Sequence, residues 1–462
     1  MTHAPDLPDP DPATGLAHAL AADLFAQART ALQSGELATS ARTLHRLLKI
    51  CPDHVPARRL FGHTCLRLGK PDRAAEAYRR VLADQPRCED SRLGLGHARL
   101  KLGRTGQALA IYRDLVRHHP DSWRGYMSIA DATPDEAERL NALSASADLL
   151  TRIHAEAPSR QILFAYVNVR INLREAGRAL DELRETGADL TGDPGLSNLA
   201  SRAAYFAGDF ASAFQYKVRA LTGLTPKECP SAEAKSPCLP PNALSLARPL
   251  IDRLRAAGLI LVPLAGTLLG TIRNQGLIET DRDIDLGILR PEGCHADMVE
   301  IVRTAPELCL NRHARPGDRY LPVEVGGISV DLFRLDRDND HFCFGFSDRP
   351  GDVQWKLPAF APLEEDAQGL ARLDRASAHA CLRALYGPGW RVPDPYFSSA
   401  TQSPALYDTD LHVRAYYAAH RARNALLLGH SAKAWHLICS SPLPIPLNRS
   451  RFEGLLRKGP SG

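Results

Sequence analysis

A spacing of 34 residues recurs through the first part of this 462-residue chain. Several sets of positions follow it, and each set keeps side chains of one kind. The sets are Pro52, Pro86 and Pro120; Gly35, Gly69 and Gly103; Ala28, Gly62 and Gly96; Ser40, Ala74 and Ala108; Leu44, Tyr78 and Tyr112; and Leu47, Val81 and Leu115. Small residues recur where two helices must approach closely, and large apolar residues recur where a helix pair faces its neighbour. A proline closes each second helix, so the pattern predicts stacked helix pairs.

A helix–turn–helix period of this length resembles the tetratricopeptide repeat (TPR), whose units stack into a solenoid. We predict three clear repeats over residues 21–122. Degenerate repeats are predicted over 123–222, because helical periodicity continues there without the strict spacing. A solenoid exposes an extended groove, so we expect it to bind a protein or peptide partner. The alternative is a spacer or a dimerisation arm.

Composition limits the remaining possibilities. A net charge of +4 without a dense Lys/Arg block argues against nucleic-acid binding. The ten cysteines include no CxxC pair, which favours reduced thiols over disulfides or a zinc site. No apolar run is long enough to span a membrane. Residues 1–20 are acidic, rich in proline and unlike a signal peptide, so we predict a disordered lead-in and a cytoplasmic protein.

The second half of the chain differs from the first in composition and in its helix and strand patterns. Residues 223–242 are rich in Pro, Ser and Lys, which predicts a linker. Mixed helix and strand patterns over 243–400 predict an α+β domain with a mixed sheet. Residues 401–462 are predicted to form a helical C-terminal extension. The fold class expected from the sequence is therefore multidomain, an all-α solenoid followed by an α+β domain.

The segment GTLLGTIRNQGLIETDRDIDLGI (266–288) places Asp281, Asp283 and Asp285 at alternate positions before an apolar strand. Side chains alternate faces along a strand, so these three carboxylates would share a face. Like charges that face one way repel each other, and such an arrangement usually needs a cation.

Residues 320–335, YLPVEVGGISVDLFRL, predict a β-hairpin with Gly326 and Gly327 as its turn. Its second strand carries Asp331 among apolar neighbours, where a charge is costly to bury without a partner. Oxygen-rich strands side by side would form a site for Mg²⁺ or Mn²⁺. Such a site commonly holds nucleotide phosphates during phosphoryl transfer.

The corner before the acidic run fits phosphate binding. Gly266 permits close approach of backbone N–H groups to an anion, and the following helix N-terminus favours negative charge. Thr267 can add a hydroxyl donor, and Arg273 can offer bidentate phosphate contacts. The alternatives are turn and packing roles for the glycines and a solvated Arg273.

Four separated pieces in this order resemble the LicD/fukutin family, a group with a nucleotidyltransferase fold. They are the GTLLGTIR corner, the DRDID run, VDLF at 330–333 and LYGPGWRVPDP at 385–395. The resemblance covers 243–400 and leaves the first half of the chain outside it. It implies transfer of a phospho-alditol, phosphocholine or similar group from a cytidine-diphosphate (CDP)-activated donor onto a glycan acceptor.

The resemblance also implies roles for the acidic residues. Asp283 and Asp285 would be the principal metal ligands, and Asp281 matches the first Asp of the family's DxDxD pattern. Asp331 would be a further carboxylate, acting as a metal ligand or as a base toward the acceptor hydroxyl. The implied cofactor is Mg²⁺ or Mn²⁺.

The donor phosphates would lie against Gly266, Thr267 and Arg273, and Lys356 occupies a position where the family tends to place pocket residues. The chain departs from the family at Glu279-Thr280, where relatives have Pro-Trp, and at Arg282, which replaces an Asp. These departures leave the donor open. Two alternatives remain, a glycosyltransferase that binds a sugar nucleotide through DxD, and a non-catalytic TPR adaptor with an inactive nucleotidyltransferase fold.

Overall fold

The computed structural model describes residues 12–456, apart from 186–189, 191, 231–232, 234–237, 306–308 and 311–312. The chain divides into two compact units, Met1–Arg152 and Ile153–Gly462. Each unit is considered by itself below.

The first unit is built from paired helices. Its helices are α1 (Pro12–Gln33), α2 (Leu37–Ile50), α3 (Val55–Arg67), α4 (Pro71–Asp84), α5 (Glu89–Lys101), α6 (Thr105–His118), α7 (Trp123–Ala132) and α8 (Glu136–Glu156), the last of which extends into the second unit. Helix α1 begins inside the predicted lead-in of residues 1–20, and residues 1–11 lie outside the described part.

The 34-residue pattern corresponds to the packing of these pairs. Gly35, Gly69 and Gly103 have φ values of 83°, 67° and 68° and form the left-handed turns between paired helices. The small and large residues of the repeating positions are buried between helices. A Cβ added to Gly96 would lie 2.2 Å from the ring of Tyr112, so this position needs glycine. The predicted helix pairs are confirmed.

The second unit continues with helix pairs and then changes architecture. Its first helices are α9 (Arg160–Asn172), α10 (Ala176–Glu185), α11 (Pro194–Ala207) and α12 (Phe210–Thr222), followed by α13 (Ala243–Ala256), α14 (Ala265–Asn274) and α15 (Met298–Arg303). The helical periodicity predicted over 123–222 is therefore present, although α9 to α12 belong to the same compact unit as the sheets.

A five-stranded sheet forms the centre of the second unit. Its strands are β1 (Ile260–Pro263), β2 (Asp283–Leu289), β3 (Cys309–Leu310), β4 (Tyr320–Val325) and β5 (Ile328–Arg334), in the order β1-β2-β5-β4-β3. Strands β2 and β5 are parallel, and the other neighbouring pairs are antiparallel. The predicted mixed sheet is confirmed.

The hairpin of β4 and β5 has the predicted turn. Val325 pairs with Ile328, and Gly326 and Gly327 have φ values of 57° and 80°. Two consecutive positive φ values are typical of the type I′ turn, whose twist matches that of the strands. The turn fixes the register of β5 against β4.

One face of this sheet is apolar, and α13 and α15 cover it. Ile284 and Leu286 of β2 and Val330 of β5 belong to the same core cluster as Leu250 and Val299 of these helices. Because side chains alternate along a strand, the residues between them point to the opposite face. That opposite face carries the acidic residues.

A smaller antiparallel sheet and a helical C-terminus complete the unit. The sheet consists of β6 (Asp336–Asp338), β7 (His341–Gly345) and β8 (Gln354–Pro358) in that order. The remaining helices are α16 (Arg375–Tyr386), α17 (Ser399–Gln402), α18 (Leu411–Leu427), α19 (Ser431–Cys439) and α20 (Arg449–Leu456). None of the described helices combines the length and the hydrophobicity needed to cross a bilayer.

Helices α11 and α12 pack against α18 through buried polar groups. The Tyr205 hydroxyl donates to Asp352 Oδ1 at 2.6 Å, and the Tyr417 hydroxyl donates to Tyr205 at 2.9 Å. The rings of Tyr205 and Tyr416 stack at 4.9 Å. This junction explains why α11 and α12 group with the sheets and not with the first unit. The linker at 223–242 stays a prediction, and the two compact units divide after Arg152.

Candidate functional site

The parallel pairing of β2 and β5 brings acidic residues together. Asp285 is the direct neighbour of Asp331 in the register, and Asp283 lies two positions before Asp285 on the same face of β2. All three residues are half-buried. The structure therefore forms a carboxylate cluster on the sheet face that α13 and α15 leave uncovered.

Asp281 joins this cluster from outside the strand. It lies in the turn before β2, where its N–H donates to Ile278 O at 2.9 Å. A Cβ added to Gly266 would lie 2.7 Å from Oδ2 of Asp281 and 3.2 Å from Oδ2 of Asp285. The two carboxylates thus converge over Gly266, and any side chain at that position would collide with them.

The glycine corner holds Asp285 in place. The Gly266 N–H donates to Asp285 Oδ2 at 2.9 Å, and the Asp285 N–H donates to Thr267 Oγ1 at 2.9 Å. Thr267 is 1% exposed, and Ala265 has a φ of 40°, which a non-glycine residue rarely adopts. Gly266 and Thr267 therefore orient a carboxylate. We predicted that their polar groups bind the donor phosphates, but in the structure these groups are directed at Asp285.

The cluster is electrostatically strained. Burial, followed by repulsion from Asp283 and Asp331, raises the pKa of Asp285 well above its usual range. Burial and then Asp283 raise the pKa of Asp331 to about 7. The same two causes raise the pKa of Asp281 to about 6, against an opposing effect of Arg273. These carboxylates crowd together, and a bound cation would reduce the repulsion between them.

The carboxylate cluster by itself is not a complete set of metal ligands. Within the described residues, no group of three or more His, Cys, Asp or Glu side chains is arranged to hold a metal ion. Mg²⁺ is usually held by one or two carboxylates together with substrate phosphates and water. Asp283 and Asp285, with Asp331 beside them, offer that incomplete ligand set and suit a cation that binds with a phosphate.

Two predicted basic residues have different outcomes. Arg273, in the last turn of α14, lies near enough to Asp281 to oppose the rise in its pKa. Lys356 lies on β8 of the smaller sheet, where its Nζ is 2.8 Å from Asp338 Oδ2. The structure thus brings Arg273 to the cluster and pairs Lys356 elsewhere.

Sequence reasoning missed residues that lie at the cluster. Tyr320 lies close enough to Asp331 for its hydroxyl to oppose the rise in the pKa of that carboxyl. Burial raises the pKa of Tyr386, and the nearby Asp285 and Asp281 add to this rise. Tyr320 could have been found from the hairpin, because it is two positions from the residue paired with Asp331 and shares its face.

Arg421 is the third missed residue. It lies on α18, in the region predicted only as a helical extension, and its guanidinium opposes the rise in the pKa of Asp283. Nothing in the sequence links it to the acidic run. The C-terminal helices therefore contribute to the surroundings of the cluster.

A separate cavity of about 870 Å³ lies at the other end of β2. Leu289, the last residue of β2, and Arg290, which follows it, line the cavity on one side. Phe342 and Phe360 line it from the smaller sheet and the segment that follows. None of the acidic residues of the cluster lines it. It is therefore distinct from the candidate site.

Comparison with known proteins identifies the repeats. A family model of the tetratricopeptide repeat matches residues 25–87, 59–122 and 93–160. This region therefore consists of tetratricopeptide repeats and has the features of a protein-interaction module. No curated protein matches the chain.

Solved structures give distant similarities. A thermophilic TPR protein of Thermus thermophilus is 18% identical over 40% of this chain and 99% of its own, with a TM-score of 0.33. A tetratricopeptide repeat protein of Parabacteroides merdae is 13% identical over 52% and 90%, with a TM-score of 0.33. PilF of Pseudomonas aeruginosa is 15% identical over 44% and 91%, with a TM-score of 0.32. Similarities this low carry no argument about function.

Proposed function

We propose that the second unit is a metal-dependent transferase that moves a phospho-substituent from a CDP-activated donor onto a glycan. One observation carries this proposal: the pairing of Asp285 with Asp331 on parallel strands, with Asp283 on the same face. The resemblance of the acidic run to the LicD/fukutin family supplies the reaction class. The phospho-substituent would be a phospho-alditol, phosphocholine or a similar group.

The reaction that suits this site is an in-line displacement at phosphorus. The oxygen of the acceptor hydroxyl forms a bond to the phosphorus that carries the alditol or choline. The bond from that phosphorus to the bridging oxygen breaks, and cytidine monophosphate (CMP) leaves with the electron pair. We assign the hydroxyl proton to Asp331, the neighbour of Asp285 in the register, and the products are the substituted glycan and CMP.

Asp283 and Asp285 would hold Mg²⁺ or Mn²⁺ together with the donor phosphates. When bound, the cation would neutralise charge on the phosphate oxygens. The chain itself supplies orientation, because Gly266 and Thr267 fix Asp285 through two hydrogen bonds. Positioning of this kind accounts for much of catalysis in phosphoryl transfer.

The repeats support a second part of the proposal, the binding of a protein or peptide partner. Stacked helix pairs present an extended surface, and TPR arrays bind partners along it. We propose that the partner brings the transferase to its glycan acceptor or to other enzymes that act on it. A pull-down with residues 1–152 deleted would test this, since loss of the partner without loss of turnover is the expected result.

The activity is tested by a donor screen on the full chain. CMP release would be measured with CDP-ribitol, CDP-glycerol and CDP-choline, and sugar nucleotides would serve as the comparison set, each with Mg²⁺ or Mn²⁺. The proposal predicts release from a CDP-activated donor that Asp283→Asn abolishes. Turnover of a sugar nucleotide instead would favour a glycosyltransferase. No turnover and no nucleotide binding would favour a non-catalytic adaptor.

A further inference from the structure

Helix α18 places a guanidinium beside the carboxylate cluster. Tyr417 and Arg421 are one helical turn apart and lie on the same side of α18. The Tyr417 ring is 5.5 Å from that of Phe346, which is 5.0 Å from that of Tyr320. Tyr320 in turn lies on the same face of the sheet as Asp331, two positions before its pairing partner Pro322. This chain of contacts fixes the side of α18 that carries Arg421 against the acidic face of the sheet.

Arg421 is anchored but not neutralised. Its Nη1 donates to Oγ of Ser398 at 2.9 Å, and Ser398 is 1% exposed. In the described part of the chain, no carboxylate forms an ion pair with Arg421. A guanidinium carries five N–H donors in a planar fork, so one neutral hydroxyl leaves most of its capacity to other groups. Its charge is nonetheless close enough to Asp283 to oppose the rise in the pKa of that residue.

Two further cations lie close to Arg421. Lys433, on α19, is half-buried, and burial lowers its pKa, as does repulsion from Arg421 and Arg282. Asp394 is the acidic group that opposes this effect. Arg282 is an exposed residue between Asp281 and Asp283 in the sequence, and its charge acts on Asp283, as that of Arg421 does. A group of three cations repels itself as the carboxylates do, and it favours an anion between its members.

The two groups of like charge complement one kind of ligand. A diphosphate that carries a divalent cation presents positive charge to carboxylates and negative charge to arginine and lysine. We propose that Arg421, with Lys433 and Arg282, binds the diphosphate of a nucleoside diphosphate on the side facing away from Asp283 and Asp285. This inference rests on the proposed function and deepens it, because it assigns the donor's phosphates to the C-terminal helices.

The assignment differs from the one that the sequence suggested. Gly266 and Thr267 direct their polar groups at Asp285, and Lys356 pairs with Asp338. The cations of α18 and α19 are therefore better placed to hold phosphate than these three residues. Bidentate contact from Arg421 would also orient the diphosphate, which a lysine at this position could not do equally well.

Calorimetric titration of the full chain tests this inference. The probes are CDP with Mg²⁺ and inorganic pyrophosphate with Mg²⁺, and cytidine alone serves as a probe without phosphate. Losing a charge-assisted, bidentate contact in Arg421→Met should weaken both phosphate probes by about 10-fold or more. Arg421→Lys should bind both phosphate probes with an affinity between those of the wild type and Arg421→Met. Arg414→Met is the matched control, since Arg414 lies on the same helix and donates to Thr401 O, and it should bind both probes as the wild type does.

The outcomes separate this inference from the proposed function. If Arg421→Met binds both probes like the wild type while Asp283→Asn loses them, the anion assignment is overturned and the transferase proposal survives. If the wild type binds neither probe, both are overturned. Should Arg421→Met fail to fold, as judged by circular dichroism, Lys433→Met replaces it. Weaker binding of pyrophosphate by that variant supports the inference, and unchanged binding contradicts it.

Discussion

The tetratricopeptide repeats and the carboxylate cluster follow opposite rules of side-chain placement. In the repeats, small and large residues are matched: Ala28 shares a core with Leu44, whereas Gly96 lies against the ring of Tyr112. In the cluster, Asp283, Asp285 and other carboxylates lie together, and burial and mutual repulsion raise the pKa of Asp285. A region in which small and large side chains are matched is built for packing, and one that keeps like charges together is expected to bind something.

The largest expected effect is the loss of activity in Asp283→Asn without loss of stability. Several kcal/mol of transition-state stabilisation depend on the bound cation, which corresponds to a decrease in kcat of roughly 10³-fold or more. The melting temperature should stay the same or rise, since one of several repelling charges is removed. Measuring kcat and the melting temperature on the same preparation checks both statements. If Asp283→Asn loses activity because it unfolds, the carboxylate cluster is needed for stability, as the repeats are, and the contrast between the two regions fails.

In the repeats, the same kind of small change should destabilise the fold. Gly96→Ala places a methyl group 2.2 Å from the rigid Tyr112 ring, and overpacking of this kind costs about 1–3 kcal/mol. The double variant Gly96→Ala/Tyr112→Leu recreates the Ala28–Leu44 pair of the first repeat and should recover part of the loss. Urea unfolding of the single and double variants measures the loss of stability and its recovery. An additive loss in the double variant would show that the two positions are not matched.

Lys217 provides a pH test outside the cluster. It is fully buried on α12, its Nζ donates to Asn198 Oδ1 at 2.6 Å, and burial, then Arg423 and Arg202, lower its pKa to about 7. In the unfolded chain its pKa is near the usual 10.5. Between pH 7 and 10.5 the unfolded chain therefore binds more protons, and stability rises with pH.

Replacing this lysine removes that dependence. We expect the free energy of unfolding of the wild type to gain up to about 1 kcal/mol per pH unit above pH 7 relative to Lys217→Met. Denaturant unfolding at pH 7, 8 and 9 measures the difference between the two proteins. If the two curves run parallel, Lys217 keeps its charge in the folded state, held by the Tyr416 ring 5.0 Å away.

The smallest effect is expected at a carboxylate outside the cluster. Asp338 forms an ion pair with Lys356, and both side chains are partly exposed. Solvent screens exposed ion pairs so that they contribute little, and Asp338→Asn should leave both stability and turnover close to those of the wild type. It is the control for Asp283→Asn. A large loss of CMP release in Asp338→Asn would contradict the structure, which places Lys356 outside the candidate site.

The sequence predicted those parts of the fold that local periodicity determines. The 34-residue spacing predicted the helix pairs, and the Gly326-Gly327 turn predicted the hairpin and its register, because both depend on residues close in the chain. The domain boundary was not predictable in this way. Contacts between α12 and α18, which join distant segments, decide that α9 to α12 group with the sheets.

The same distinction between local sequence and tertiary packing applies to the candidate site. The alternation of Asp283 and Asp285 predicted a shared face, and the parallel pairing with β5 adds Asp331 to it. Thr267 shows the limit of motif reading, because a hydroxyl suited to phosphate is buried and bonded to the backbone of Asp285. Arg421 could not be predicted, since only tertiary packing brings α18 to the cluster.

The claim that the carboxylates hold a cation for phosphate is tested most directly by Mn²⁺ binding with and without CDP. Water-proton relaxation measures this binding. The carboxylate cluster is incomplete by itself, so the wild type should bind Mn²⁺ weakly alone and at least about 10-fold more tightly with CDP. Asp283→Asn should lose this gain, and Asp338→Asn should keep it. Equal Mn²⁺ binding by the wild type and Asp283→Asn in the presence of CDP would contradict the claim that these carboxylates hold a cation for phosphate.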